Sequence, residues 1–93
     1  MSVEVRIPTM LRSHVAGAAT VQADGSTVRE IIDQLVAEHP SLGGQIVTGD
    51  GTLHKFVNVY LNDDDIRYLP EKESTPTSDS DELTIIPSIA GGY

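Results

Sequence analysis

Three observations predict an α+β domain of β-grasp topology. Segments with a period of two open and close the chain, "VEVRI" and "LTIIP". One amphipathic helix follows a second strand signal. The element order is strand, strand, helix, strand, short strand, strand, which places one main helix on one face of a mixed sheet of four to five strands. In a β-grasp the first and last strands are parallel neighbours at the sheet centre. Val3, Val5, Ile7, Leu83 and Ile85 have the apolar character such strands require. The 93 residues form one folded domain, expected over 1–87, with a flexible tail over 88–93.

Each element has its own signal. In "VEVRI", Val3, Val5 and Ile7 share one face while Glu4 and Arg6 share the other. Pro8 withholds a backbone donor and ends regular pairing. A second strand fits Thr20 to Ala23, closed by the turn pair Asp24-Gly25. "TVRE" reads as a capping box, with Thr27 accepting from the Glu30 amide and Glu30 reaching back to the Thr27 amide. Val28, Ile31, Ile32, Leu35 and Val36 then recur at helical spacing, and Pro40 disfavours helical geometry at His39.

"SLGGQIVTGDGTLHK" reads as irregular with one short helical turn. "FVNVYL" is rich in β-branched and aromatic residues and is the strongest strand signal. Its core face by pattern carries Val57, Val59 and Leu61. Asn62-Asp63 starts a turn, after which Ile66 to Tyr68 is expected to return as a short strand. "PEKESTPTSDSDE" is polar and broken by proline, so a solvated loop is expected. "LTIIP" is the last strand.

Composition excludes several functions. Fourteen acidic against six basic residues give a net charge of −8, which phosphate backbones repel, so nucleic acid is not an expected partner. An acidic domain suits docking on a basic protein surface. There is no cysteine, hence no disulfide or thiolate chemistry. No apolar run approaches the roughly 18 residues of a membrane span, and the N-terminus lacks a secretory pattern, so a cytoplasmic protein is expected. His14, His39 and His54 lack metal-ligand spacing, and Asp63-Asp64-Asp65 lacks the glycine and distant glutamate of a calcium loop. No bound cofactor and no catalytic residue is assigned, so the chain reads as a non-enzyme.

The end of the sequence, "IIPSIAGGY", places Gly91-Gly92 directly after the final strand and follows them with Tyr93. Together with "VEVRIPTMLR" and "FVNVYLNDDDIR", it makes the whole chain resemble the ubiquitin-like sulfur carriers of the MoaD/ThiS family. The likeness is greatest to the actinobacterial CysO branch, which serves cysteine synthesis. The resemblance implies that an E1-like enzyme uses ATP to adenylate the carboxylate of Gly92, and that sulfur then displaces AMP to leave a thiocarboxylate. Glycine suits a tail that threads a narrow active site, because it has no Cβ.

The family's working form ends at the second glycine, so Tyr93 is the departure. The resemblance implies its removal, as by a JAMM-type zinc protease. The sulfur acceptor it implies is a synthase, pyridoxal-phosphate dependent in the cysteine route. Molybdopterin, thiamin or a thio-containing secondary metabolite are the alternative destinations. A non-charged ubiquitin-like interaction module and a modifier conjugated to lysines are rivals of other classes. Ile86, Pro87 and Ile89 are candidate docking residues beside the tail. Leu61 stays open: its pattern places it in the core, whereas the family resemblance points it toward a partner.

Overall fold

A computed structural model describes residues 2–49, 53–54 and 57–87. The strands are β1 (Ser2–Arg6), β2 (Thr20–Asp24), β3 (Val57–Leu61), β4 (Asp64–Asp65) and β5 (Glu82–Pro87). The helices are α1 (Val28–Glu38) and α2 (Pro40–Ile46). Three 3-10 helices cover Thr9–Val15, Ile66–Tyr68 and Lys72–Ser74. The sheet runs β2-β1-β5-β3-β4, with β1 and β5 parallel and the other pairs antiparallel. This is the mixed β-grasp sheet that the element order predicts.

Alternation decides which face is covered. Val3 and Val5 of β1, Val57, Val59 and Leu61 of β3, and Leu83 and Ile85 of β5 are all buried. They pack with Val28, Ile31, Ile32 and Leu35 of α1 in one core. The expected helical stripe is therefore the inner face of α1. Burying such side chains contributes about 1.5–3 kcal/mol each relative to leaving them exposed.

The start of α1 follows half of the expected capping box. The Glu30 N–H donates to the Thr27 hydroxyl at 3.2 Å. The return bond lands one residue earlier than expected: Glu30 Oε1 accepts from the Ser26 N–H at 2.8 Å and from its hydroxyl at 2.9 Å. The helix closes with the His39 N–H donating to the Leu35 carbonyl at 2.9 Å. Pro40 stops α1 and occupies the first turn of α2, where its missing donor costs nothing.

Three further expectations are corrected. The single short helical turn expected in the glycine-rich segment is a seven-residue helix, α2, because Leu42, Gly43 and Ile46 bury one side. Thr9–Val15, to which no element is assigned from the sequence, is a 3-10 helix with Leu11 and Val15 in the core. The short return strand is Asp64–Asp65, and Ile66–Tyr68 is a 3-10 turn whose start the Asp65 carboxylate caps by accepting from the Arg67 N–H.

Finally, the polar loop after Tyr68 is not wholly solvated. Thr77 is 6% exposed and its N–H donates to the Ser26 carbonyl at 2.9 Å. The Thr75 carbonyl accepts from the Val28 N–H at 3.0 Å. The loop thus satisfies backbone donors and acceptors at the start of α1 that would otherwise need water.

Candidate functional site at the end of β5

β5 carries the chain to the tail, so its surroundings define the candidate site. It sits between β1 and β3 and is anchored on both sides. Val57 pairs with Pro87, Asn58 with Ile86, Val59 with Ile85, Tyr60 with Thr84 and Leu61 with Leu83. On the other side Val5 pairs with Leu83 and Arg6 with Thr84. Both edges of β5 are thus paired at Leu83 and Thr84, and the β3 edge alone continues to Pro87.

The face of the sheet away from α1 is the open one. It carries Arg6, Asn58, Tyr60, Glu82, Thr84 and Ile86. Ile86 is 44% exposed, one of three exposed large apolar side chains among the described residues, with Met10 and Tyr68. Its cross-strand neighbour is the half-buried Asn58, and Tyr60 lies diagonal to it. Arg6 and Glu82 form a 3.6 Å ion pair on this face, both partly exposed, so it contributes little to stability. An exposed apolar residue set among polar neighbours suits reversible protein contact.

The candidate residues separate. Ile86 is on the open face, and Pro87 is half-buried beside it at the end of β5. Leu61 is 8% exposed and belongs to the core, so the pattern reading holds for its side chain. Ile89, Gly91, Gly92 and Tyr93 lie outside the described residues. Tyr60 and Asn58 were not singled out from the sequence, although their parity in "FVNVYL" places them on the Ile86 face.

The turn before β5 is tightly tied. The Asn62 N–H donates to the Glu82 carbonyl at 2.7 Å, and the Asn62 side-chain oxygen accepts from the Glu82 N–H at 3.1 Å. Its amide nitrogen donates to Asp81 Oδ1 at 3.0 Å. Asn62 adopts φ 57°, a left-handed conformation that asparagine tolerates better than most residues. The Asn62 bond, then the Ser78 N–H, hold the Asp81 carboxyl below its usual range, with partial burial opposing them. Among the described residues no three His, Asp or Glu side chains converge as a metal site.

A family model described as the ThiS family matches residues 5–92, from β1 to the second glycine of the tail. The chain belongs to the ThiS family. Relatives agree along its length. The sulfur carrier protein CysO of Mycobacterium tuberculosis is 39% identical over 99% of this chain and 100% of that protein. The CysO of Amycolatopsis orientalis, seen in a crystal structure of its complex with BexX, superposes with a TM-score of 0.83 at 43% identity. That match covers 97% of this chain and 99% of the other. Small archaeal modifier protein 1 of Haloferax volcanii is 35% identical over 86% of this chain and 90% of its own length. ThiS-family membership agrees with the resemblance read from the sequence. These relatives are carriers and modifiers, not catalysts, and no described helix of this ThiS-family chain is long and apolar enough to cross a membrane.

Proposed function

We propose that this chain is a sulfur carrier of the CysO type, and that Gly92 is the residue that carries sulfur. Full-length similarity to CysO is the observation that carries the reading. A carboxylate is a poor acyl donor, because hydroxide or oxide is a poor leaving group. An E1-like partner using ATP converts the Gly92 carboxylate to an acyl-adenylate with release of pyrophosphate. A sulfide equivalent then displaces AMP, leaving the thiocarboxylate. The carrier supplies the acyl group, and the partner supplies the chemistry.

This chemistry needs a free carboxylate at Gly92. Tyr93, and anything joined to it, therefore has to be cleaved first, a step suited to a JAMM-type zinc protease. The open face around Ile86 and Pro87 is proposed to dock the activating enzyme. The acceptor is proposed to be a synthase of cysteine biosynthesis. The BexX complex of the Amycolatopsis relative supports a carrier that works docked on other proteins.

Intact-mass measurement tests the reading. A variant ending at Gly92 is incubated with an activating enzyme, ATP and sulfide. It gains the mass of one oxygen-to-sulfur exchange, while the chain ending at Tyr93 does not. Equal charging of both removes the cleavage step. Charging of neither, with every activating enzyme of the native cell, removes the carrier reading.

The likeness to a small archaeal modifier favours a second reading, conjugation of Gly92 to lysines of other proteins. It predicts a ladder of larger species in native cell extracts that disappears when Gly92 is deleted.

A further inference from the structure

A cavity of about 300 Å³ is lined in part by Val57 and Val59, which lie on the opposite face of the sheet from Ile86. Its lining includes Leu53, Val57, Val59 and Ile66 as apolar residues, and Arg67 and Lys72 as cationic ones. His54 and Glu73 also line it. Its volume is at the lower end of the roughly 300–1,000 Å³ typical of small-molecule sites.

Charge is distributed unevenly here. The whole chain has six Lys and Arg against fourteen Asp and Glu, yet two of the six cations line this one cavity. The one carboxylate among the described lining residues is already engaged: Glu73 Oε2 accepts from Arg29 Nη1 at 3.3 Å. The Arg67 guanidinium is positioned by donating from Nη2 to the Val57 carbonyl at 2.8 Å. A cationic mouth over an apolar floor is therefore set into an acidic protein.

Lys72 occupies its place at a cost. Its φ is 47°, a left-handed conformation in which glycine or asparagine would be less strained. Three hydrogen bonds hold it there. The Lys72 N–H donates to the Leu69 carbonyl at 3.2 Å. The Lys72 carbonyl accepts from the Thr75 N–H at 3.0 Å and the Thr75 hydroxyl at 2.7 Å. Strain held by surrounding bonds at a cavity edge motivates a functional reading of the side chain.

We propose that this cavity binds a small carboxylic acid with an apolar body. The branched side chains of Val57, Val59 and Ile66 take the hydrocarbon, and Lys72 with Arg67 takes the carboxylate. The site stands independently of the tail chemistry.

The experiment is an amide-resolved NMR titration of the full chain with isocaproate, its neutral amide isocaproamide, and inorganic phosphate. Isocaproate is expected to give saturable shifts at Val59, Ile66 and Lys72, with isocaproamide binding several-fold more weakly. Lys72→Asn fits the left-handed backbone, so it is expected to keep or raise Tm while weakening isocaproate about threefold, the scale of a partly exposed ion pair. Lys72→Arg is expected to keep binding. The proposal is overturned if isocaproate gives no saturable shifts, or if the amide binds as well as the acid. It is also overturned if phosphate reproduces the shifts, or if Lys72→Asn binds unchanged.

Discussion

Ile85 and Ile86 are consecutive in β5, yet one is 2% exposed and the other 44%. The pleat sends them to opposite faces: Ile85 pairs with Val59 over α1, and Ile86 pairs with Asn58 on the open face. The same side chain thus has two roles set by parity alone. Ile86→Asp is expected to leave Tm nearly unchanged and to weaken the complex with the activating enzyme, measured by calorimetric titration. Ile85→Asp is expected to abolish folding, because it buries an unpaired charge. Full binding by the Ile86 variant would remove the open face from the interface.

Leu35 is 1% exposed at the centre of the α1 stripe. Its replacement by alanine is expected to cost about 2–5 kcal/mol, through lost transfer energy and a residual cavity. Urea unfolding measures it. A loss below about half a kcal/mol would place Leu35 outside the core.

How far the fold was legible depends on how local each cause is. α1 was legible because Thr27, Glu30, the apolar stripe and Pro40 act within a few residues of one another. The sheet faces were legible because alternation reports burial directly. The helix at Thr9–Val15 was not, since only Leu11 and Val15 are buried and no repeating stripe forms. The burial of Thr77 depends on Gly25 and Ser26, about fifty residues earlier. The cavity joins Leu53, Val57, Arg67 and Lys72 with their neighbours, which no spacing connects. In the candidate site, the Gly-Gly motif and the exposure of Ile86 were legible. The core position of Leu61 followed from parity, and the family resemblance alone pointed its side chain elsewhere.

Two adjacent glycines in α2 are expected to respond in opposite directions. A Cβ on Gly43 would stand 2.7 Å from Val36 Cγ1, whereas a Cβ on Gly44 would meet nothing within 4 Å. Helix propensity favours alanine over glycine by about 0.8–1 kcal/mol at either position. Overpacking costs about 1–3 kcal/mol, and valine is stiff at χ1, so the clash outweighs propensity at Gly43. Gly44→Ala is therefore expected to stabilise and Gly43→Ala to destabilise. In a Val36→Ala background, Gly43→Ala is expected to become neutral or stabilising, with a coupling of at least about 0.5 kcal/mol in a double-mutant cycle. Additive effects would assign the cost of Gly43→Ala to something other than Val36.

Acid is expected to weaken the fold through two carboxylates at its turns. The Glu30 carboxyl is held below its usual range, first by the Ser26 N–H and then by the Ser26 hydroxyl, with desolvation opposing. The Asp81 carboxyl is lowered first by Asn62 and then by the Ser78 N–H. A carboxyl whose pKa is lower folded than unfolded stabilises the fold above its unfolded value, about 4.3 for Glu and 3.9 for Asp. That contribution fades as pH falls below those values and is gone below the folded pKa. Relief of repulsion in a chain of net charge −8 acts in the opposite direction on acidification, so wild-type stability alone does not isolate the effect. Comparison with the variants does. Glu30→Gln and Asp81→Asn are each expected to be less stable than wild type at neutral pH, and the difference is expected to shrink as pH drops below about 4. Denaturant midpoints measured across that range check both, and a difference that stays constant with pH would show that neither hydrogen-bonded carboxylate is coupled to folding through its charge.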